Sequence, residues 1–374
     1  MGPVTASESL GAHSSESEGS AVATRTAVGL DIGTSAVRAA EMSLKKRPAV
    51  LERFGQVALP VGAVRNGEVF DLDAVAGAIK HLWSSTGFST SKVVLGVANQ
   101  KVVVRQIDLP WMPVNELRAS LKFQVQDYIP MPVEEAVLDF HVLEEITDDK
   151  GARALRVLLV AAVRPMVDMA IEAVRRAGLT VQAVDLTSFA VLRALSTEGQ
   201  SDSGATEALV DIGASVTNIV VHQDGVPKFV RILLMGGDDV TGAVAERVGV
   251  PHEAAEAMKV QLGLAGAGVD GPDSHPASRV IGSTVAQLVE EVRGSLDYYL
   301  AQPSAVFIER IVLSGGGGKL AGLDAWLSAA TRLPVERAEP LADLRLGKVG
   351  LTSEQLDHVG PLAVVPVGLA MGAA

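Results

Sequence analysis

The segment Asp31-Ile32-Gly33-Thr34-Ser35 returns as Asp211-Ile212-Gly213-Ala214-Ser215, each time between two short apolar runs. A chain that sets the same Asp-x-Gly-x-Ser turn between strands twice predicts two similar halves. One such turn alone is an ordinary hairpin with an Asx-turn. Two copies in matching strand contexts, facing each other, can grip a polyphosphate from both sides. Gly33 has no Cβ, so backbone can come close to a phosphate. The amides of Gly33, Thr34 and Ser35 and the hydroxyls of Thr34 and Ser35 are donors suited to phosphate oxygens. Gly213, Ser215 and Thr217 offer the same in the second copy, with Ala214 where the first copy has Thr34, so one hydroxyl is missing. Asp31 and Asp211 end their strands, and two carboxylates at one site repel unless a cation lies between them. That pair predicts Mg2+, held through water as it commonly is beside a nucleotide.

The surrounding periodicity supports the duplication. Ala27–Ile32, Ala36–Met42 and Val50–Ala58 read as strands, and Ala208–Ile212, Thr217–His222 and Lys228–Leu234 repeat that order, with Asp224-Gly225 as a hairpin turn. Leu72–Thr86 carries Leu72, Val75, Ile79 and Leu82 at helical spacing, and Gly87 stops it. Between the halves the texture changes: strands at Lys92–Val97 and Val102–Leu109, a helix from Met112-Pro113 to Tyr128 stopped by Pro130 and Pro132, strands at Val137–Leu143 and Leu155–Val163, then a helix to Ala177. The expected organisation is a Ser/Glu-rich disordered tail over 1–24, a first lobe from 25–99 and 178–200, an inserted α+β unit over 100–177, and a second lobe over 201–374. The half boundary falls in a Ser/Gly-rich linker at 198–206, a loop spans 263–276, and a buried Gly-rich helix over 360–374 returns to the first lobe.

Composition excludes several classes. The net charge is −12 and the sole basic cluster, Lys45-Lys46-Arg47, reads as a turn, so a nucleic-acid footprint is not expected. With no Cys, disulfides, thiol catalysis and Cys-zinc sites are excluded, and the seven His show no metal-ligand spacing. No apolar stretch approaches the ~20 residues of a bilayer span, and the N-terminus lacks a signal-peptide plan. The expectation is a soluble cytoplasmic protein without direct membrane insertion.

Further candidates lie outside the two turns. Ser314-Gly315-Gly316-Gly317-Gly318-Lys319 follows a strand and opens a helix, where backbone can take an anion or lie under a flat ring. It has neither P-loop nor Rossmann spacing, and a plain strand-to-helix connection reads it equally well. Glu256 and Lys259 share a face of the helix His252–Leu262, either as ribose and base contacts or as a solvated ion pair. Arg38, on the strand after the first turn, can reach a phosphate or remain an exposed strand residue.

The order Asp-Ile-Gly-Thr-Ser, Val-Asp-Ile-Gly-Ala-Ser, Leu-Ser-Gly-Gly-Gly-Gly and a Gly-rich terminal helix resembles the actin/Hsp70/sugar-kinase superfamily. Within it the chain is most similar to the PilM family of type IV pilus assembly. The telling stretch is Asp108-Leu109-Pro110 with Met112-Pro113, then Gln126-Asp127-Tyr128-Ile129-Pro130-Met131-Pro132 and Leu138-Asp139-Phe140. It resembles the 1C subdomain that the PilM and FtsA families share. The resemblance implies an α/β, actin-like ATPase (ribonuclease H-like) two-lobed fold with 1A, inserted 1C and 2A/2B units. It implies ATP or ADP with Mg2+ bound by Asp31, Gly33, Thr34, Ser35, Arg38, Asp211, Gly213, Ala214, Ser215, Thr217, Glu256, Lys259, Gly315, Gly316 and Gly317, with Asp31 and Asp211 serving the metal. Asp185 stands where relatives position the attacking water, and hydrolysis is expected to be slow. Implied partners are the cytoplasmic N-terminal peptide of a PilN-like inner-membrane protein, at the 1A/1C region, and the pilus motor ATPases. Recruitment to the inner face of the cytoplasmic membrane follows from those partners. An FtsA-like division protein and a small-molecule kinase are the alternatives. The absence of a basic amphipathic tail after Met371 speaks against the first.

Overall fold

The computed structural model describes residues 4–5, 26–45, 48–147, 151–196, 204–264 and 275–373. The Lys46-Arg47 turn, nearly all of the expected tail and linker, and the centre of the loop at 263–276 lie outside the described residues.

The first half comprises β1 (Val4–Thr5), β2 (Thr26–Ile32), β3 (Ala36–Ser43), β4 (Val50–Ala58), a small hairpin of β5 (Val64–Arg65) and β6 (Glu68–Val69), α1 (Leu72–Thr86) and β7 (Lys92–Val97). An excursion follows through β8 (Val103–Pro110), α2 (Val114–Gln124), β9 (Ala136–Thr147) and β10 (Arg153–Val163). The chain returns by α3 (Arg164–Arg176), β11 (Thr180–Leu186) and α4 (Thr187–Leu195). The second half holds β12 (Thr206–Ile212), β13 (Thr217–Gln223), β14 (Val226–Leu233), α5 (Gly237–Val248), α6 (His252–Leu262), α7 (Pro276–Leu300), β15 (Arg310–Ser314), α8 (Gly315–Gly318), α9 (Leu323–Thr331) and β16 (Val335–Arg337). Two elements close the chain, β17 (Arg345–Leu346) and α10 (Ser353–Met371).

Both lobes carry the same sheet. In the first, the order is β1-β11-β7-β2-β3-β4-β17, with β2, β3 and β4 antiparallel and β7 and β11 running parallel to β2. In the second, the order β14-β13-β12-β15-β16 places an antiparallel trio beside two parallel strands. The match extends to register: Asp31 pairs with Arg38 and Ile32 with Val37, while Asp211 pairs with Asn218 and Ile212 with Thr217. Each turn closes with the same backbone bond, Gly33 N to Ala36 O at 3.0 Å and Gly213 N to Val216 O at 2.8 Å.

Local chemistry fixes the helices. The Asp71 carboxylate caps α1 by accepting from Asp73 N and Ala74 N, and Gly87 ends it at φ 69°. Val75, Ile79 and Leu82 then bury into the first sheet with Leu30, Val37 and Leu95. The excursion has its own core, in which Leu117 and Leu121 of α2 meet Ile107, Leu109, Val157 and Leu159 of the three-stranded sheet β8-β10-β9. Helix α3, expected inside the insertion, buries Ala170, Ala173 and Val174 in the first lobe's core beside α1, while Met166 and Val167 at its start pack with Leu158, Val160 and Ala162 of β10, so it joins the two units. The helix expected from Met112 to Tyr128 stops at Gln124, and Gln126–Tyr128 form a separate 3-10 turn.

The last helix is longer than its Gly-rich segment predicts. Thr352 and Gln355 form a capping box ahead of it, and it runs through Pro361 and Pro366. It packs on β2, β3, β7 and α4 and also touches α8 and β15 of the second half. Gly29 on β2 lets it approach this closely: a Cβ there would lie 2.1 Å from Pro366 O. No described helix is long and apolar enough to cross a membrane.

Candidate functional site

The two Asp-x-Gly turns meet across a cleft of about 830 Å3, lined from one side by Asp31–Ser35 and Arg38 and from the other by Asp211, Gly213, Ala214, Val216 and Asn218. The hairpin tips touch, with Thr34 Oγ1 and Ser215 Oγ sharing a hydrogen bond of 2.5 Å. Both carboxylates are buried. Burial pushes Asp31 up to about 6, with Arg38 opposing and the negative charge of Asp211 adding to the rise. Burial likewise raises Asp211 against hydrogen bonds from Ser314, at 2.8 Å, and Asn218. The two acids therefore feel each other, which is the arrangement a shared cation relieves. Among the described residues no group of three or more His, Asp or Glu gathers round a metal site, so a cation here would need water and ligand oxygens to complete its shell.

Arg38 is the cation of the cleft. Its Nη1 stands 3.8 Å from Asp31 Oδ2, beyond hydrogen-bond reach, and its buried Nε has no hydrogen-bond partner among the described residues. A guanidinium with unspent donors in a cleft beside bare Gly33 backbone suits an anion.

The third glycine run forms α8 at the foot of this cleft. Gly315 has φ 83°, and a Cβ would fall 2.3 Å from Ile212 O, so only glycine lets this turn lie flat on the second Asp-x-Gly strand. Gly315 and Gly316 line the cleft, and Gly317 sits against Ile212 and Gly213. Lys259 and Glu256 stand one layer behind. Lys259 Nζ donates to Gly237 O and Thr241 Oγ1, both at 2.9 Å, and pairs with Glu256 Oε2 at 2.6 Å. Burial pushes Glu256 up, but hydrogen bonds from Lys259 and Thr241 outweigh it and hold the acid below its usual range. Gly237 joins this pair to the second turn, since its N–H donates to Gly213 O at 3.0 Å and Asp238 N donates to Ala214 O at 2.7 Å.

Two candidates stand elsewhere. Thr217 is buried and gives its hydroxyl to Met235 O at 2.7 Å, and its neighbour Asn218 faces the cleft in its place. Asp185 is turned away from the cleft: it binds the Arg193 guanidinium and accepts from Leu186 N at 2.8 Å. Arg193 also donates from Nε to Gly368 O at 3.0 Å, tying β11 to the last helix. Asp185 lines a different groove of about 500 Å3, with Val184, Leu186 and Phe189 on one wall and Val137, Leu138 and Asp139 of the inserted unit on the other.

Several lining residues had no assigned role from sequence. Gly67, Gly96, Thr187, Asn218, Pro361, Leu362 and Val365 complete the cleft. Asn218 had a signal, because it stands seven positions after Asp211 as Arg38 does after Asp31. Gly67 belongs to an Asn66-Gly67 turn, another legible signature, with φ 52° and 79°.

Solved structures share this fold. The ethanolamine utilization protein EutJ from Carboxydothermus hydrogenoformans is 16% identical, with a TM-score of 0.54 over 92% of this chain and 89% of that one. MreB5 of Spiroplasma citri bound to AMPPNP is 14% identical, with a TM-score of 0.50 over 93% and 96%. The fold is thus that of the actin-like ATPases, two lobes with an insertion in the first. Among curated sequences, the cell division protein FtsA of Neisseria meningitidis is 24% identical over 350 residues, 83% of each chain. The chain of a PilM-PilN type IV pilus biogenesis complex is 30% identical, with a TM-score of 0.82 over 94% of this chain and 99% of that one. The profile described as type IV pilus assembly protein PilM matches residues 29–374, and the chain belongs to that family.

Proposed function

We propose that this chain is a nucleotide-binding cytoplasmic scaffold of the type IV pilus assembly machine. ATP or ADP would lie in the cleft, its phosphates on the amides of Gly33–Ser35 and Gly213–Ser215 and on Arg38. Mg2+ would sit near Asp31 and Asp211, largely through water, neutralising phosphate charge. Gly315–Gly317 would take the nucleoside, with Glu256 and Lys259 at its outer side. The unpartnered Arg38 donor carries this reading, because a buried guanidinium nitrogen without a partner costs free energy that an anion would recover. Among the described residues Asp31 and Asp211 are the sole carboxylates lining the cleft, and the proposed metal would engage both. Asp185 faces Arg193, so among the described residues no separate acid lines the cleft to activate water, and hydrolysis would be slow.

The partner proposed for the groove between β9 and β11 is the cytoplasmic N-terminal peptide of a PilN-like membrane protein. Its apolar lining and the backbone edges beside it suit an extended, mostly apolar segment. Contact with motor ATPases belongs to the same proposal. Isothermal calorimetry on protein stripped of nucleotide is the test: absence of both ATP and ADP binding in the presence of Mg2+ would end the nucleotide reading.

A further inference from the structure

The groove of Asp185 is flanked by two sheet edges. β9 is the last strand of the inserted sheet, and β11 would be the last strand of the first lobe's sheet but for β1. β1 pairs antiparallel with it, Val4 opposite Val184 and Thr5 opposite Ala183, and Val184 is itself a groove-lining residue. We propose that the chain's own amino-terminal strand holds the β11 edge of the partner groove, and that an incoming peptide strand must displace it. This rests on the reading of that groove as the peptide site and adds a regulatory step to it.

Three observations support the exchange. Backbone pairing at a sheet edge is indifferent to sequence, so a short strand of this chain and one of a partner compete for the same N–H and C=O groups. The tether suffices: two strands, β11 and β7, separate β1 from β2, a distance of about 14 Å. The residues between Thr5 and Thr26 could extend to about 65 Å. A tethered strand then meets its edge at an effective concentration in the millimolar range. A pairing only two residues long is weak enough to be displaced.

The experiment compares the full chain with a chain lacking residues 2–24 and with the Val4→Pro, Thr5→Pro double variant, which cannot donate along the edge. Hydrogen exchange reads the pairing with no ligand present. The full chain is expected to protect the amides of 180–186 more than either variant, and equal exchange in all three would overturn the proposal. Titration with a synthetic N-terminal peptide of a PilN-like protein reads the consequence. If the edge is held nine-tenths of the time, both variants bind the peptide about tenfold more tightly. Equal peptide affinity across the three, with exchange differing, would overturn the displacement step. A peptide that binds none of them would refute the peptide reading of the groove, and with it the displacement step, while exchange alone still decides whether β1 holds the edge.

Discussion

At the scale of single residues the site rests on two opposed electrostatic arrangements, an arginine with donors to spare and a carboxyl held in its costly charged form. Among the described residues Arg38 makes a single, loose ion pair at 3.8 Å, and its charge offsets part of the cost of the buried Asp31 and Asp211 carboxylates. Its value lies in what it would bind. Hydrogen bonds to charged groups contribute about 1.5–3 kcal/mol each, so Arg38→Met is expected to weaken ATP binding by roughly ten- to a hundredfold in calorimetry, with a lowered melting temperature at neutral pH because Asp31 and Asp211 lose the cation beside them. Asp31 behaves in the reverse manner. Burial raises its pKa in the folded protein from the ordinary carboxylate value of 3.8 to about 6. The associated stability is therefore fully present below the unfolded value and lost as pH rises through about 6. Asp31→Asn removes that loss. In thermal melts without nucleotide the variant is expected to be more stable than the parent at pH 7.5, by no more than about 3 kcal/mol, with the difference vanishing toward pH 4. Its nucleotide binding should lose dependence on Mg2+. In the parent, Mg2+-dependent binding should itself fade as pH drops through about 6. A variant no more stable than the parent at pH 7.5 would mean that Asp31 is not held charged against burial.

At the scale of elements, the strongest signals were local and the misses were tertiary. The Asp-x-Gly turns and Asp224-Gly225 were legible because turn geometry is written in adjacent residues, and the last pair takes φ 50° and 76° as such a hairpin requires. Asn66-Gly67 carried the same signature but passed unnoticed, because the two-residue strands beside it, Val64–Arg65 and Glu68–Val69, are too short to show alternation. Local pattern places a helix before Ala177 but cannot show that it packs on two partners, Ala170, Ala173 and Val174 in the first lobe's core and Met166 and Val167 against β10. Thr217 and Asn218 are adjacent, and only strand register decides that the asparagine looks into the cleft. The terminal helix begins ahead of its Gly-rich segment, at the Thr352–Gln355 capping box, and it holds Pro361 and Pro366 in its interior because burial against β2 and α4 overrides their cost. That burial depends on bare backbone at Gly29. Gly29→Ala would drive a Cβ to 2.1 Å from Pro366 O, and overpacking of this kind costs about 1–3 kcal/mol or more. Gly77→Ala, on the exposed face of α1 with nothing within 4 Å of the new Cβ, is the matched control. It is expected to be neutral or to stabilise by up to about 1 kcal/mol. Urea unfolding measures both, and a Gly29→Ala midpoint equal to the parent's would show that α10 does not bear on β2 so closely.

At the scale of the whole molecule, the cleft between the Asp-x-Gly turns and the groove of Asp185 share one helix, which would couple a nucleotide in the first to a peptide in the second. Thr187 at the start of α4 lines the cleft, and Phe189 two residues on lines the groove. Thr187 and Ser188 both donate to Asn218 Oδ1 of the second lobe, at 3.0 and 2.8 Å, and Arg193 at the far end of the helix holds Asp185 and Gly368 O. A ligand that draws the lobes together must carry Asn218, and α4 with it, toward or away from the groove wall. Linkage then requires the effect to be mutual: if nucleotide changes peptide affinity by some factor, peptide changes nucleotide affinity by the same factor. Couplings of this kind typically reach about 5- to 150-fold. Peptide titrations with and without saturating Mg2+ and ATP, together with the reverse titrations, measure the factor from both sides. Ser188→Ala removes one of the two bonds to Asn218, and Ser188 itself lines neither site. It is expected to leave each separate affinity within about twofold while bringing the coupling factor toward one, since a buried neutral hydrogen bond is worth about 1 kcal/mol. An unchanged factor in that variant would exclude the α4–Asn218 contact as the route between the sites. Equal peptide affinity with and without nucleotide in the parent would mean that the cleft does not govern the groove at all.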